Sequence, residues 1–171
     1  MPRYAAFLRG VMPTNAKMPE LKRAFEAAGF SDVKTLLGSG NVLFTTTRAS
    51  VPSLERKAEA AMQQTLGRTF LTIIRPVEYL RSMLESDPFK RFRIKPAEKR
   101  VVTFLRNQPV TSIKVPVTLG AARILAHQGT EVFTTYQRGA ATPEFMTLIE
   151  KTCGKELTTR TWDTVTKAAR S

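Results

Sequence analysis

One cysteine and one histidine in 171 residues exclude several kinds of chemistry. Cys153 has no second thiol to pair with, so no internal disulfide is available and a reducing compartment is expected. A single histidine, His127, leaves no Cys/His cluster of the kind zinc requires, and the scattered acids show no Asp/Glu/His grouping at metal-ligand spacing. Neither a metal nor a cofactor is expected. Long apolar runs are missing as well. No window approaches the roughly 20 residues of a membrane-spanning helix, and the first apolar stretch is broken by Arg9, far short of a signal peptide's apolar core. The expectation is a cytoplasmic protein, monomeric or homodimeric, with no membrane partner.

Acidic residues are also scarce: 14 Asp and Glu stand against 27 Lys and Arg, a net charge of +13. The excess is spread along the chain, with 11 basic and 5 acidic groups in residues 1–75, 5 and 4 in 76–98, and 11 and 5 in 99–171. Such a balance favours acidic partners, nucleic acid or a small anionic ligand. With 42% hydrophobic residues the chain is of ordinary globular composition.

The patterning predicts elements in a repeated order. Residues 4–8 read as a buried strand. Pro19 and the stripe Leu21, Ala24, Phe25 and Ala28 predict a helix that Gly29 stops, and Pro52 with Leu54, Ala58, Ala61, Met62 and Leu66 predicts another that ends at Gly67. Between them, residues 33–37 and 42–46 form a hairpin around Gly38-Ser39-Gly40-Asn41, and 70–74 supply a fourth strand. This is the βαββαβ order of the ferredoxin-like unit. A helix over 76–85 and a connector over 87–99 follow. Strands at 101–105, 122–126 and 131–136, a helix at 143–153, a short strand at 157–159 and a closing helix at 162–169 then repeat the order, while the proline-broken stretch 108–119 fits no element. The fold class expected is α+β: two ferredoxin-like subdomains with antiparallel sheets, 1–75 and 99–171, joined by a helical and irregular linker over 76–98, with a C-terminal helix. Phe7, Phe25, Leu43, Phe70, Phe104, Phe133, Leu148 and Trp162 are the expected core.

Three segments resemble the bacterial family catalogued as domain of unknown function 1697: Phe7-Leu8-Arg9-Gly10, Ser39-Gly40-Asn41-Val42-Leu43-Phe44, and the stretch from Thr158 to Lys167 that contains Thr161-Trp162-Asp163. The resemblance implies two ferredoxin-like subdomains and assigns no activity. Two departures stand out. Val11-Met12-Pro13-Thr14-Asn15-Ala16-Lys17 occupies the place of the usual Ile-Asn-Val-Gly-Gly, and Thr161 and Asp163 stand where Asn is usual.

Two groups of residues are candidates for binding. Arg9 and Gly10 end the first strand, Ser39, Gly40 and Asn41 form a turn whose backbone N–H groups suit an anion, and Arg160 and Lys167 flank the last strand and helix. The plainer alternatives are a hairpin turn, arginines paired with acids or helix ends, and a lysine at a helix C-terminus. The second group is Lys90, Arg91, Phe92, Arg93 and Lys95, within a stretch holding six cations and one acid between residues 90 and 100. Cations on phosphates with rings on bases are the means of single-strand binding, whereas a connector anchored by its aromatics with solvated charges would look the same in sequence. His127 reads as a solvated turn residue. Cys153 lies at a helix C-terminus, where the dipole does not favour a thiolate. No catalytic residue can be named. The leading reading is a non-catalytic module for nucleic acid or a phosphorylated or anionic ligand; the alternatives are an enzyme on an anionic substrate, with Arg9, Asn41 and Arg160 holding the charge, and a protein-interaction or packing role.

Overall fold

The run from Tyr4 to Leu8 is buried on both faces, and it lies inside a sheet as β1 (Arg3–Leu8). In this computed structural model residues 1–109, 113–137 and 142–171 are described. The chain divides into two units, Met1–Ser82 with Thr166–Ser171, and Met83–Val165.

In the first unit β1 leads to α1 (Met18–Ala27), β2 (Ser31–Leu36), β3 (Asn41–Thr45), α2 (Val51–Leu66) and β4 (Thr72–Pro76). The strands pair antiparallel in the order β2-β3-β1-β4. Local chemistry sets the helix ends. Ser50 Oγ accepts the Ser53 N–H at the start of α2, with Pro52 in its first turn, and Gly67 closes it at φ 73°. Leu21, Ala24 and Phe25 of α1 and Leu54, Ala58 and Met62 of α2 cover one face of the sheet, around Ala6, Leu8, Phe44 and Ile74. Within that core Phe30 and Phe44 stack at 4.2 Å between centroids. The fourth strand lies two residues later than its apolar pattern predicts. Phe70 goes to the core instead, with the Arg68 guanidinium over its ring at 4.7 Å.

α3 (Val77–Ser86) follows. The second unit contains β5 (Glu98–Leu105), β6 (Val117–Leu119), β7 (Ala122–Gln128), β8 (Glu131–Gln137), α4 (Thr142–Cys153) and β9 (Leu157–Thr161), and the chain closes with α5 (Trp162–Ala169). The sheet order is β6-β7-β8-β5-β9, antiparallel throughout. β7, β8, β5 and β9 thus repeat the arrangement of β2, β3, β1 and β4. Where the first unit has α1, the described residues between β5 and β7 contain only β6, an added edge strand that turns at Gly120 into β7. Part of the 108–119 stretch lies outside the described residues. Phe145, Leu148 and Ile149 of α4 pack on Val101, Leu105 and Val132.

The structure is therefore α+β, with two antiparallel sheets and five helices among the described residues. Seven of the eight expected core residues are buried; Trp162 is the exception and is half-buried. It opens α5, where one side of its ring is packed and another reaches a surface cleft. No described helix is long and apolar enough to cross a membrane.

Candidate functional site

The glycine-rich hairpin brings five of the expected residues together at one end of the first sheet. Leu37, Gly38 and Gly40 hold left-handed backbone at φ 61°, 66° and 83°, which turns β2 into β3. The Leu8 N–H donates to the Gly40 carbonyl at 2.9 Å, and the Arg9 N–H donates to the Leu71 carbonyl at 2.9 Å. Asn41 is buried, and its Nδ2 donates to the Leu36 carbonyl at 3.0 Å and to Ser39 Oγ at 3.2 Å. Asn15 closes the preceding loop, its Nδ2 donating to the Gly10 carbonyl and its Oδ1 accepting the Met12 N–H, both at 2.8 Å. A Cβ on Gly40 would stand 3.0 Å from Val11 Cβ, so the two loops are closely fitted. Arg9, Gly10, Ser39, Gly40 and Asn41 are neighbours here.

Arg160 and Lys167 are placed differently. Arg160, on β9 of the second unit, directs Nη1 to Thr158 Oγ1 at 2.7 Å and to the Thr159 carbonyl at 2.8 Å. Part of its surface is open, yet burial of the charged end lowers the guanidinium to about 10, which leaves it cationic at neutral pH. Lys167 is exposed in the last turn of α5 and belongs to the stretch counted with the first unit.

The connector before β5 is anchored at one point and open along the rest. Phe89 is buried, meeting Phe133 and Trp162 edge-on at 5.6 and 5.1 Å between centroids. Its N–H donates to Asp87 Oδ1 at 3.1 Å, and the Lys90 and Phe92 N–H groups donate back to Asp87 and Phe89 carbonyls, so the chain leaves the anchor in tight turns. Beyond it Lys90, Arg91, Arg93 and Lys95 are exposed, and Phe92 is half-buried with the Arg91 guanidinium 5.0 Å from its ring centroid. None of these four cations forms an ion pair among the described residues.

The local acid, Glu98, is already engaged. Arg123 grips it from Nε and Nη2, the closest approach being 2.9 Å, while the Lys95 N–H at 2.8 Å and Thr135 Oγ1 at 3.3 Å also donate to it. Burial pushes the Glu98 carboxyl up, but these hydrogen bonds and the Arg123 charge outweigh it and hold the carboxyl below its ordinary value. Arg123 Nη2 donates to the Arg93 carbonyl at 3.1 Å as well, which ties the connector to the sheet. A cleft of about 740 Å³ lies on one side, lined by Phe92, Arg93, Lys95, Arg123 and Gln137 among others. Another of about 310 Å³ is lined by Lys95, Lys99, Arg100, Thr161, Trp162 and Asp163 among others. The sequence pointed to the cations of this stretch, Lys99 and Arg100 included, but not to Arg123 and Trp162 beside them, which only the fold brings close.

Among the described residues no group of three or more His, Cys, Asp or Glu is placed to hold a metal ion. No curated protein matches the sequence. Its fold is similar to that of a solved structure described as a conserved bacterial protein from Streptococcus pneumoniae, with a TM-score of 0.70 and 17% identity over 99% of this chain and 97% of that one. At that identity the likeness concerns the fold alone. Two of the three motifs, at β1 and at the β2–β3 hairpin, fall within residues 1–138, which match the family described as Protein of unknown function (DUF1697), and the chain belongs to that family.

Proposed function

We propose that the chain is a cytoplasmic, non-catalytic binding module built of two ferredoxin-like subdomains, and that its connector engages single-stranded nucleic acid. One observation carries the reading: Lys90, Arg91, Arg93 and Lys95 are exposed without an acidic partner among the described residues, around a half-buried phenylalanine, and two clefts open beside them, both lined by Lys95 and one by Arg93. Cations at that density repel one another and gain most from a polyanion. Phosphates along a strand supply the charge, and bases supply faces for Phe92 or Trp162. The glycine-rich hairpin stays outside this reading, because Asn41 and Ser39 are engaged in closing their own turn.

The test is fluorescence anisotropy of a labelled single-stranded oligonucleotide across a salt series. Affinity should fall linearly with log salt at a slope of about −0.7 per phosphate neutralised. Replacing Lys90, Arg91 and Arg93 together by Ala should flatten the slope and weaken binding while the far-ultraviolet circular dichroism stays unchanged. Equal slopes for parent and triple variant, or no binding at low salt, would end the proposal.

A further inference from the structure

The first unit holds a cleft that no motif marks. It measures about 630 Å³, and Arg3, Arg48 and Arg81 line it together with Tyr4, Val77 and Glu78 among others. The arginines come from β1, the β3–α2 loop and α3, so the fold gathers them from far apart in sequence. None of the three forms an ion pair among the described residues.

Two of the guanidinium groups are held in place by neutral acceptors. Arg3 Nη1 donates to the Asp32 carbonyl at 3.2 Å and to Thr45 Oγ1 at 3.0 Å, and Arg81 Nε donates to the Ala169 carbonyl at 2.8 Å. A guanidinium carries five N–H donors, so Arg3 keeps its Nε and Nη2 donors and Arg81 keeps both Nη groups. Arg48 has no hydrogen bond or ion pair among the described residues and keeps all of its donors. Among the side chains that line it, three positive charges stand against the single carboxylate of Glu78, and Met1 at the rim adds its amino group, so the cleft is positive by two or more. Pro2, Tyr4, Pro76 and Val77 give the cleft an apolar side.

We propose that this cleft binds a small phosphate monoester with an apolar body, the dianionic phosphate resting between Arg3, Arg48 and Arg81 and the body against Tyr4, Pro76 and Val77. Guanidinium forks, two of them fixed in place, match the oxygens of a phosphate, and a dianion answers an excess of positive charge better than a monoanion does. The site is independent of the connector, whose residues all belong to the other unit.

Calorimetric titration with phenyl phosphate at low ionic strength tests it. Saturable one-to-one binding is expected above about pH 6, where the monoester is a dianion, and weaker binding below. Benzenesulfonate, a monoanion of similar shape, should bind less tightly. Arg48→Glu changes an exposed residue with no bonds to lose, and it should weaken phenyl phosphate by about tenfold or more, the scale of one charge-assisted hydrogen bond. Glu78→Gln should tighten binding, a gain that misfolding cannot imitate. The triple connector variant should bind phenyl phosphate as the parent does. No saturable heat with the parent, an unchanged affinity in Arg48→Glu, or weaker binding in Glu78→Gln would overturn the proposal. So would a short single strand that displaces phenyl phosphate and itself depends on Arg48, because the site would then serve a nucleic-acid backbone.

Discussion

The Glu55 carboxylate, nearly fully buried on α2, accepts the backbone N–H of Ile74 at 2.9 Å. One turn further along the helix Glu59 Oε2 accepts the Thr72 N–H at 3.0 Å. β4 is an edge strand, and these are the alternate N–H groups that its pairing with β1 leaves unused. Carboxylates four positions apart on a helix match the spacing of N–H groups two apart on a strand, so α2 covers an edge that would otherwise recruit another chain. Glu55→Ala should cost about 1–3 kcal/mol, since it leaves a buried donor unpaired, and Glu55→Gln, which keeps an acceptor, should cost less. Urea unfolding measures the cost, and light scattering should detect concentration-dependent association in Glu55→Ala. Equal stability of the two variants would show that the edge bond contributes nothing.

Much of the first unit was legible in the sequence because its signals are local. Gly29 and Gly67 stop helices where the apolar stripes end, and the hairpin turn lies between two short apolar runs. β6 was not legible: three residues paired only with β7 produce no alternation to read in a stretch broken by prolines. The connector cations were visible as neighbours in sequence. Arg123, which takes up their acid, stands 25 positions from Glu98, and Arg3, Arg48 and Arg81 share a cleft without sharing a motif. Trp162 was expected in the core with the other residues of the apolar stripes; its position at the first residue of α5 leaves it only partly buried.

Phe89 and Trp162 should differ in their effect on stability. Phe89 is 1% exposed and touches both Phe133 and Trp162, so Phe89→Ala should cost about 3–5 kcal/mol. Trp162→Ala removes a larger ring that is only partly buried, and its cost should be smaller. Denaturant midpoints compared at a common slope decide the order, and a greater loss in Trp162→Ala would reverse the assignment of the anchor.

Cys153 should be a slow thiol. Burial raises it to about 11, so at pH 8 only about one molecule in a thousand carries the thiolate, against about a quarter for a free cysteine. Reaction with a disulfide reagent at pH 8 should therefore run roughly two hundredfold slower in the folded protein than in urea, in proportion to the thiolate fraction. Equal rates in the two states would show that the thiol is not shielded.

The Glu98 clamp should give the protein a pH-dependent share of its stability. The folded carboxyl sits below its ordinary value because Lys95, Arg123 and Thr135 favour the ionised form more than burial disfavours it. A carboxyl depressed in the folded state stabilises above the pKa of the unfolded chain, about 4.3, and that contribution is lost as pH falls through the folded value. Glu98→Gln keeps the shape and removes the charge. The difference in unfolding free energy between parent and Glu98→Gln should be constant above about pH 5 and shrink steadily below it. Arg123→Met should shift the acid limb in the same direction, because the partner that depresses Glu98 is gone. Urea unfolding of the three proteins across a pH series reads this directly. A difference that stays constant into the acid range would mean that Glu98 titrates alike in folded and unfolded chains, and that the grip of Arg123 does not hold in solution.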